Sequence, residues 1–157
     1  MIVVDASTLV LALADQGGRG VAARAALAAD PEWAAPEHLL IEVMQSLRGR
    51  YLAKENTAEQ VAAVAAELPR ITFRKVELAP LLGRIWELKD NLTPDDAAYV
   101  AVAELLGAPL VTADLRLTRA SGPRCEIRAV RATGGEGGDG GASGDGGDGG
   151  DGGAATG

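Results

Sequence analysis

Four carboxylates stand against apolar runs, where an unpaired charge is expensive. Asp5 follows Ile2-Val3-Val4, Glu42 separates Leu39-Leu40-Ile41 from Val43-Met44, Asp96 opens Ala97-Ala98-Tyr99-Val100-Ala101-Val102, and Asp114 closes Leu110-Val111-Thr112-Ala113. An ionised carboxylate withdrawn from water costs several kcal/mol unless it is paired or coordinates a metal. Acids that recur against core segments therefore need a shared reason, and a divalent cation would supply one.

The elements that must position these acids alternate in type. Ile2-Val3-Val4 is a continuous apolar run of the kind buried on both faces of a sheet, and residues 6–14 continue as a helix. A Gly17-Gly18-Arg19-Gly20 turn leads into an Ala-rich helix over residues 21–29, which Pro31 stops. After an extended piece near Trp33, Pro36 is expected to begin a helix reaching residue 53, with Leu39, Leu40, Val43, Met44 and Leu47 toward the core. Thr57 and Gln60 form a capping box for a further helix ending before Pro69. Ile71-Thr72-Phe73 and Val76 suggest a short strand, and residues 80–89 another helix.

Thr93-Pro94-Asp95-Asp96 is a strong helix start, with Thr93 as N-cap and Pro94 in first position, and Gly107 ends that helix. Leu110-Val111-Thr112 is the next strand, followed by a helical turn over residues 115–120 and an edge strand over 127–130. Repeated strand-helix alternation predicts an α/β domain with a mainly parallel sheet. Ligands of such sheets bind beyond the carboxyl ends of the strands, which is where Asp5 and Asp114 fall. The amino end of the Asp96 helix can face the same crevice.

A purely structural role also fits each acid taken singly. Asp5 suits the N-cap of the helix after it, with Ser7 and Thr8 able to share the capping. Asp95 and Asp96 suit the positive end of their helix dipole. Asp114 fits a loop or cap, and Glu42 fits a buried neutral or paired acid. The functional reading rests on all four together.

Composition limits where this reasoning applies. From Gly134 onward the chain carries fourteen glycines, five acids, no basic residue and no large apolar side chain. Such a segment cannot bury a core, so residues 132–157 are expected to form a disordered Gly/Asp-rich tail beside a folded domain spanning 1–131. Its Gly-Asp repeats lack the large apolar residue that a calcium-binding β-helix needs in every turn. Removing the tail's five acids from the chain's 22 leaves 17 against 15 Lys and Arg, so the domain carries about −2 of the formal −7.

The apolar N-terminus lacks a basic residue before its hydrophobic stretch and holds Asp5 inside it, both wrong for a secretory signal. No other apolar run approaches the roughly 20 residues that span a bilayer. The expectation is a cytoplasmic protein with no membrane association. The single cysteine, Cys125, excludes an internal disulfide and a cysteine-based zinc site, which fits a reducing compartment.

The segments Met1-Ile2-Val3-Val4-Asp5-Ala6-Ser7, Leu40-Ile41-Glu42-Val43, Leu92 to Ala103 and Leu110 to Leu117 resemble, in order, spacing and hydrophobic context, the PIN-domain nucleases, and within them the VapC-type toxins of type II toxin-antitoxin systems. The resemblance covers residues 1–131 and implies a three-layer α/β/α sandwich whose acids bind Mg²⁺ or Mn²⁺ and hydrolyse RNA. It assigns Asp5, Glu42, Asp96 and Asp114 as metal-site and catalytic acids, with Ser7 and Thr112 as supporting hydroxyls. Asp95 is the ambiguous neighbour; Asp96 is preferred because it stands immediately before Ala97-Ala98. Many relatives carry a further acid shortly after the last one, and here Arg116 stands instead. The resemblance also implies a cognate antitoxin and a homodimer.

The chemistry suits the side chains. Mg²⁺ takes about six oxygen ligands near ~2.1 Å and keeps several waters, so a few carboxylates and a substrate phosphate complete its shell. The ion acidifies bound water and offsets charge on the leaving oxygen, leaving Glu42 or Asp96 to position or deprotonate the attacking water. His38, one helical turn before Glu42, reads as a structural or surface residue, since this chemistry has no required place for a histidine. Arg48, Arg50, Lys54, Arg116, Arg119, Arg124, Arg128 and Arg131 are candidates for RNA backbone contacts, or a solvated charged surface. Two other classes share parts of the pattern. A haloacid-dehalogenase-like phosphohydrolase places a second Asp two residues after the first, where Ser7 stands here, and a catalytically silent PIN-like binding module would have lost acids that this chain retains.

Overall fold

The computed structural model describes residues 1–132, so the segment expected as a tail lies outside the described residues from 133 onward. Five strands, β1 (Ile2–Val4), β2 (Trp33–Pro36), β3 (Arg74–Val76), β4 (Leu110–Thr112) and β5 (Ile127–Ala129), form one sheet in the order β3-β2-β1-β4-β5. All four pairings are parallel, with Val3 opposite Ala34 and Leu110, and Val4 opposite Val111. Central placement explains why Ile2, Val3 and Val4 are all buried, while the edge strand β3 exposes Arg74 and Lys75.

The described residues also form six α-helices, α1 (Ala6–Ala14), α2 (Gly18–Ala28), α3 (Leu39–Leu52), α4 (Ala58–Glu67), α5 (Leu82–Glu87) and α6 (Pro94–Leu106). The chain moves from β1 through β2 to β3 in one direction, then returns past β1 to β4. Parallel crossovers are right-handed, so the reversal puts α1 to α4 on one face and α5 with α6 on the other. Their packing agrees: α1 lies against α2, α3 and α4, whereas α6 lies against α5 and strands β1, β2 and β4. The result is an α/β/α sandwich whose strand order reverses between β1 and β4, the place where open sheets bind ligands.

The helix between Thr93 and Gly107 follows its sequence signals. Thr93 Oγ1 accepts a hydrogen bond from the Asp96 N–H, Pro94 takes the first position, and Gly107 closes the helix in the left-handed region at φ 59°. Every residue from Ala97 to Ala103 is buried, so α6 is a core helix rather than an amphipathic surface one. The Thr57–Gln60 capping box at the start of α4 is present in both directions.

Four local expectations are corrected. Pro36 ends β2 instead of beginning a helix; α3 starts at Leu39. Met44 is 46% exposed, because α3 buries only the stripe Leu39, Val43 and Leu47. The third strand comprises Arg74–Val76, later than Ile71-Thr72-Phe73. Gly18 to Gly20 are the first turn of α2, not a linking turn. There Gly20 is needed for space: a Cβ would lie 1.8 Å from the Asp15 carbonyl oxygen.

Candidate metal centre

Asp5 leaves β1 with its carboxylate at the sheet's carboxyl edge. It occupies the N-cap position of α1 without capping it, since its side chain makes no cap hydrogen bond. Instead Ser7 Oγ donates to Asp5 Oδ2 at 2.5 Å and Thr112 Oγ1 donates to the same oxygen at 2.6 Å. The two hydroxyls are held in turn by backbone at the end of β4. Ala113 N donates to Ser7 Oγ at 3.0 Å and Asp114 N donates to Thr112 Oγ1 at 2.9 Å. Two amides thus reach one carboxylate oxygen through two hydroxyls, tying the end of β1 to the end of β4.

Asp5 is only 6% exposed. Burial pushes its proton affinity above the ordinary carboxylate range, the Ser7 and Thr112 hydroxyls oppose that shift, and nearby Asp96 adds to it. Among the described residues no Lys or Arg pairs with Asp5, Asp95 or Asp96.

Glu42 projects from the first turn of α3 toward α6, where the buried Tyr99 hydroxyl donates to its Oε2. His38 Nε2 lies 3.4 Å from the same oxygen. Burial raises Glu42 as well, with the Tyr99 hydroxyl and His38 lowering it and Asp95 and Asp5 raising it. One ligand atom each from His38, Glu42 and Asp95 fall within 4.8 Å of one another.

Asp96 is occupied differently, its Oδ2 accepting from Thr93 Oγ1 at 2.8 Å. It remains near enough to Asp5 to influence its charge. Asp114 is engaged by Arg116, whose Nε and Nη2 reach the carboxylate at 2.9 and 2.5 Å and whose N–H donates at 2.8 Å. That partner holds Asp114 below the usual carboxylate range. Beside it, Ser7, Arg19, Arg50, Asp114 and Arg116 line an open cleft of ≈ 540 Å³.

The structure therefore brings Asp5, Glu42, Asp95 and Asp96 near enough to act on one another's charge, Asp5 with Asp96 and Glu42 with both Asp95 and Asp5, and sets Asp114 at the margin in an ion pair. His38, Tyr99 and Arg19 were not assigned to the site from sequence. The first two left a signal: His38 is four residues before Glu42, and Tyr99 is four after Asp95, so each pair shares a helix face. Arg19 left none, because only the packing of α2 brings it to the cleft.

These residues fit a divalent cation. Carboxylates raised by desolvation and by one another, with no Lys or Arg paired to them, are the groups a cation relieves, and carboxylate oxygen suits hard ions such as Mg²⁺.

Comparison with known proteins agrees with the architecture. The sequence profile of the PIN domain matches residues 2–123, and the chain belongs to the PIN domain family. Within that family it stands among the VapC proteins: Ribonuclease VapC1 of Mycobacterium tuberculosis is 39% identical over 130 residues, which cover 82% of this chain and 97% of that protein. Among solved structures, VapC20 of Mycobacterium tuberculosis, described as a Sarcin-Ricin loop cleaving toxin, superposes with a TM-score of 0.59 at 20% identity over 76% of this chain and 94% of that one. VapBC2 of Rickettsia felis, bound to a DNA fragment from its promoter, gives a TM-score of 0.57 at 16% identity, covering 82% and 98%. At these identities the structural likenesses establish the fold.

Proposed function

We propose that this chain is an endoribonuclease, the toxin of a toxin-antitoxin pair, and that its acids work with Mg²⁺ or Mn²⁺. The observation that carries the reading is the meeting of Asp5, Glu42, Asp95 and Asp96 at the strand-order reversal of a chain 39% identical to a VapC ribonuclease. Asp5, Glu42 and an acid of the Asp95-Asp96 pair would hold the cation, and Asp114 joins them when Arg116 releases it. When bound, the ion supplies charge neutralisation at the phosphodiester and lowers the pKa of water.

The protein's residues do the rest. Ser7 and Thr112 fix Asp5 in one orientation, so the site is preorganised before substrate arrives. Glu42 keeps a raised proton affinity and is steadied by Tyr99, which suits it to accept the proton of the attacking water. Arg19 and Arg116, both exposed on the cleft, meet RNA phosphates, and Arg50 is held beside them by Asn56 Oδ1 at 2.7 Å. Ser7 donating to Asp5 stands where a phosphatase of the haloacid-dehalogenase type would place its second Asp.

A cognate antitoxin would occupy this cleft and hold the enzyme silent, and the chain would act as a homodimer. The test is cleavage of structured RNA by protein freed of antitoxin, with and without Mg²⁺ or Mn²⁺. Cation-dependent cutting that an Asp5→Asn variant cannot perform is the expected result; no cutting by the wild type under any of these conditions defeats the reading.

A further inference from the structure

The structure assigns His38 a place in the metal centre: with Glu42 and Asp95 it forms a mixed imidazole-carboxylate face that takes a first-row transition ion in preference to Mg²⁺. This assignment rests on the proposed cation-dependent nuclease and specifies which ion the site selects.

Geometry comes first. One ring nitrogen of His38, a Glu42 carboxylate oxygen and an Asp95 carboxylate oxygen lie within 4.8 Å of one another, and His38 Nε2 stands 3.4 Å from Glu42 Oε2. Ligands bonded to one ion at ~2.1 Å stand about 3 Å apart when adjacent and about 4 Å when opposite. The His38–Glu42 pair already stands near the adjacent spacing, and rotation of the side chains closes the remaining gaps, all under 4.8 Å, onto a common centre.

Second, His38 Nε2 is shielded from solvent and makes no hydrogen bond, the only buried side-chain nitrogen or oxygen among the described residues in that condition. A buried nitrogen without a hydrogen bond is costly, and a coordinated ion removes that cost. Third, Tyr99 holds two of the three ligands. Its hydroxyl donates to Glu42 and its ring meets the His38 ring edge-on, with centroids 5.6 Å apart at 65°. Tyr99 and Asp95 sit one turn apart on α6, as His38 and Glu42 do where α3 begins, so two helix ends present the whole set.

The donor chemistry then decides the ion. Carboxylates alone suit Mg²⁺, whereas one imidazole shifts a site toward first-row transition ions. The experiment uses the full chain without a histidine tag, so that His38 is its sole imidazole. Pulsed electron paramagnetic resonance of the Mn²⁺-loaded protein should show ¹⁴N modulation from a coordinated imidazole, absent in His38→Gln. Calorimetric titration should show Mn²⁺ affinity falling at least about tenfold in that variant, with Mg²⁺ affinity changing less than about threefold.

Absence of imidazole modulation in the wild type overturns the assignment without relying on any variant. Equal loss of Mn²⁺ and Mg²⁺ affinity, or no loss of either, also overturns it and leaves His38 a structural neighbour. Cation-dependent RNA cleavage without ¹⁴N coupling sinks this inference alone. No cation binding and no cation-dependent cleavage sink the proposed function with it.

Discussion

Thr112 Oγ1 donates to Asp5 Oδ2 at 2.6 Å across 107 positions of sequence, joining the ends of the two adjacent strands between which the sheet order reverses. Thr112 is fully buried, and its hydroxyl also receives the Asp114 N–H. Thr112→Val keeps the shape and deletes both bonds. The variant should lose about 1–3 kcal/mol in urea unfolding and cleave RNA more slowly, while Thr112→Ser retains most of both properties. An unchanged unfolding midpoint in Thr112→Val would show that the hydroxyl does not support Asp5.

Burial of the Asp5 carboxyl makes its charge costly to the fold. Its carboxyl is raised in the folded state, so the stability it contributes is fully present below the ordinary value of 3.8 and lost as pH rises through the raised one. Asp5→Asn has no such titration. In cation-free buffer at neutral pH the variant should match or exceed the wild type by on the order of 1 kcal/mol, and the gap should close as pH falls toward 4. Asp114 and Glu104, lowered by Arg partners, act in the opposite sense but are common to both proteins. Thermal melts across this pH range, paired with loss of cleavage, give the check; a gap that widens on acidification contradicts the burial argument.

Arg116 holds the Asp114 carboxylate that the proposed cation would need. It is 84% exposed, so the pair opens readily. Arg116→Ala should strengthen Mg²⁺ binding severalfold while weakening RNA binding and lowering its salt dependence by about 0.7, the share of one single-strand phosphate contact. Calorimetry and salt-series binding separate the two effects. Unchanged Mg²⁺ affinity would mean that Asp114 takes no part in holding the ion.

Two glycines should respond in opposite directions. Gly20→Ala forces a methyl onto the Asp15 carbonyl at the α1–α2 junction and should cost about 2 kcal/mol or more. Gly49→Ala, in exposed α3 with nothing within 4 Å of the new Cβ, should add about 0.5–1 kcal/mol. Chemical denaturation of the two variants decides, and equal effects would refute the close packing at Gly20.

Much of the fold was legible because local chemistry specifies it. Ile2-Val3-Val4 can satisfy three buried side chains only in a central strand, and Thr93, Pro94 and Gly107 fix both ends of α6 by capping and backbone preference. Pro36 misled because a proline suits the first turn of a helix and the end of a strand alike; its pairing with Val76 in the sheet settled the matter. Met44 misled because a helix with an apolar stripe wide enough to include it buries only Leu39, Val43 and Leu47 against its neighbours.

The four carboxylates stand out in the sequence itself, since acids beside apolar runs are conspicuous wherever the chain later goes. Partnership is another matter. Asp5 meets Thr112, and Glu42 meets Tyr99 and Asp95, through side-chain directions set by helix packing over the reversed sheet, whereas Asp114 meets Arg116 only two residues away. Residue types and helical spacing determined which groups were available for chemistry; only the tertiary structure decided which of them meet, because distances of a few ångströms between α3, α6 and two strand ends are fixed by packing that no local pattern encodes.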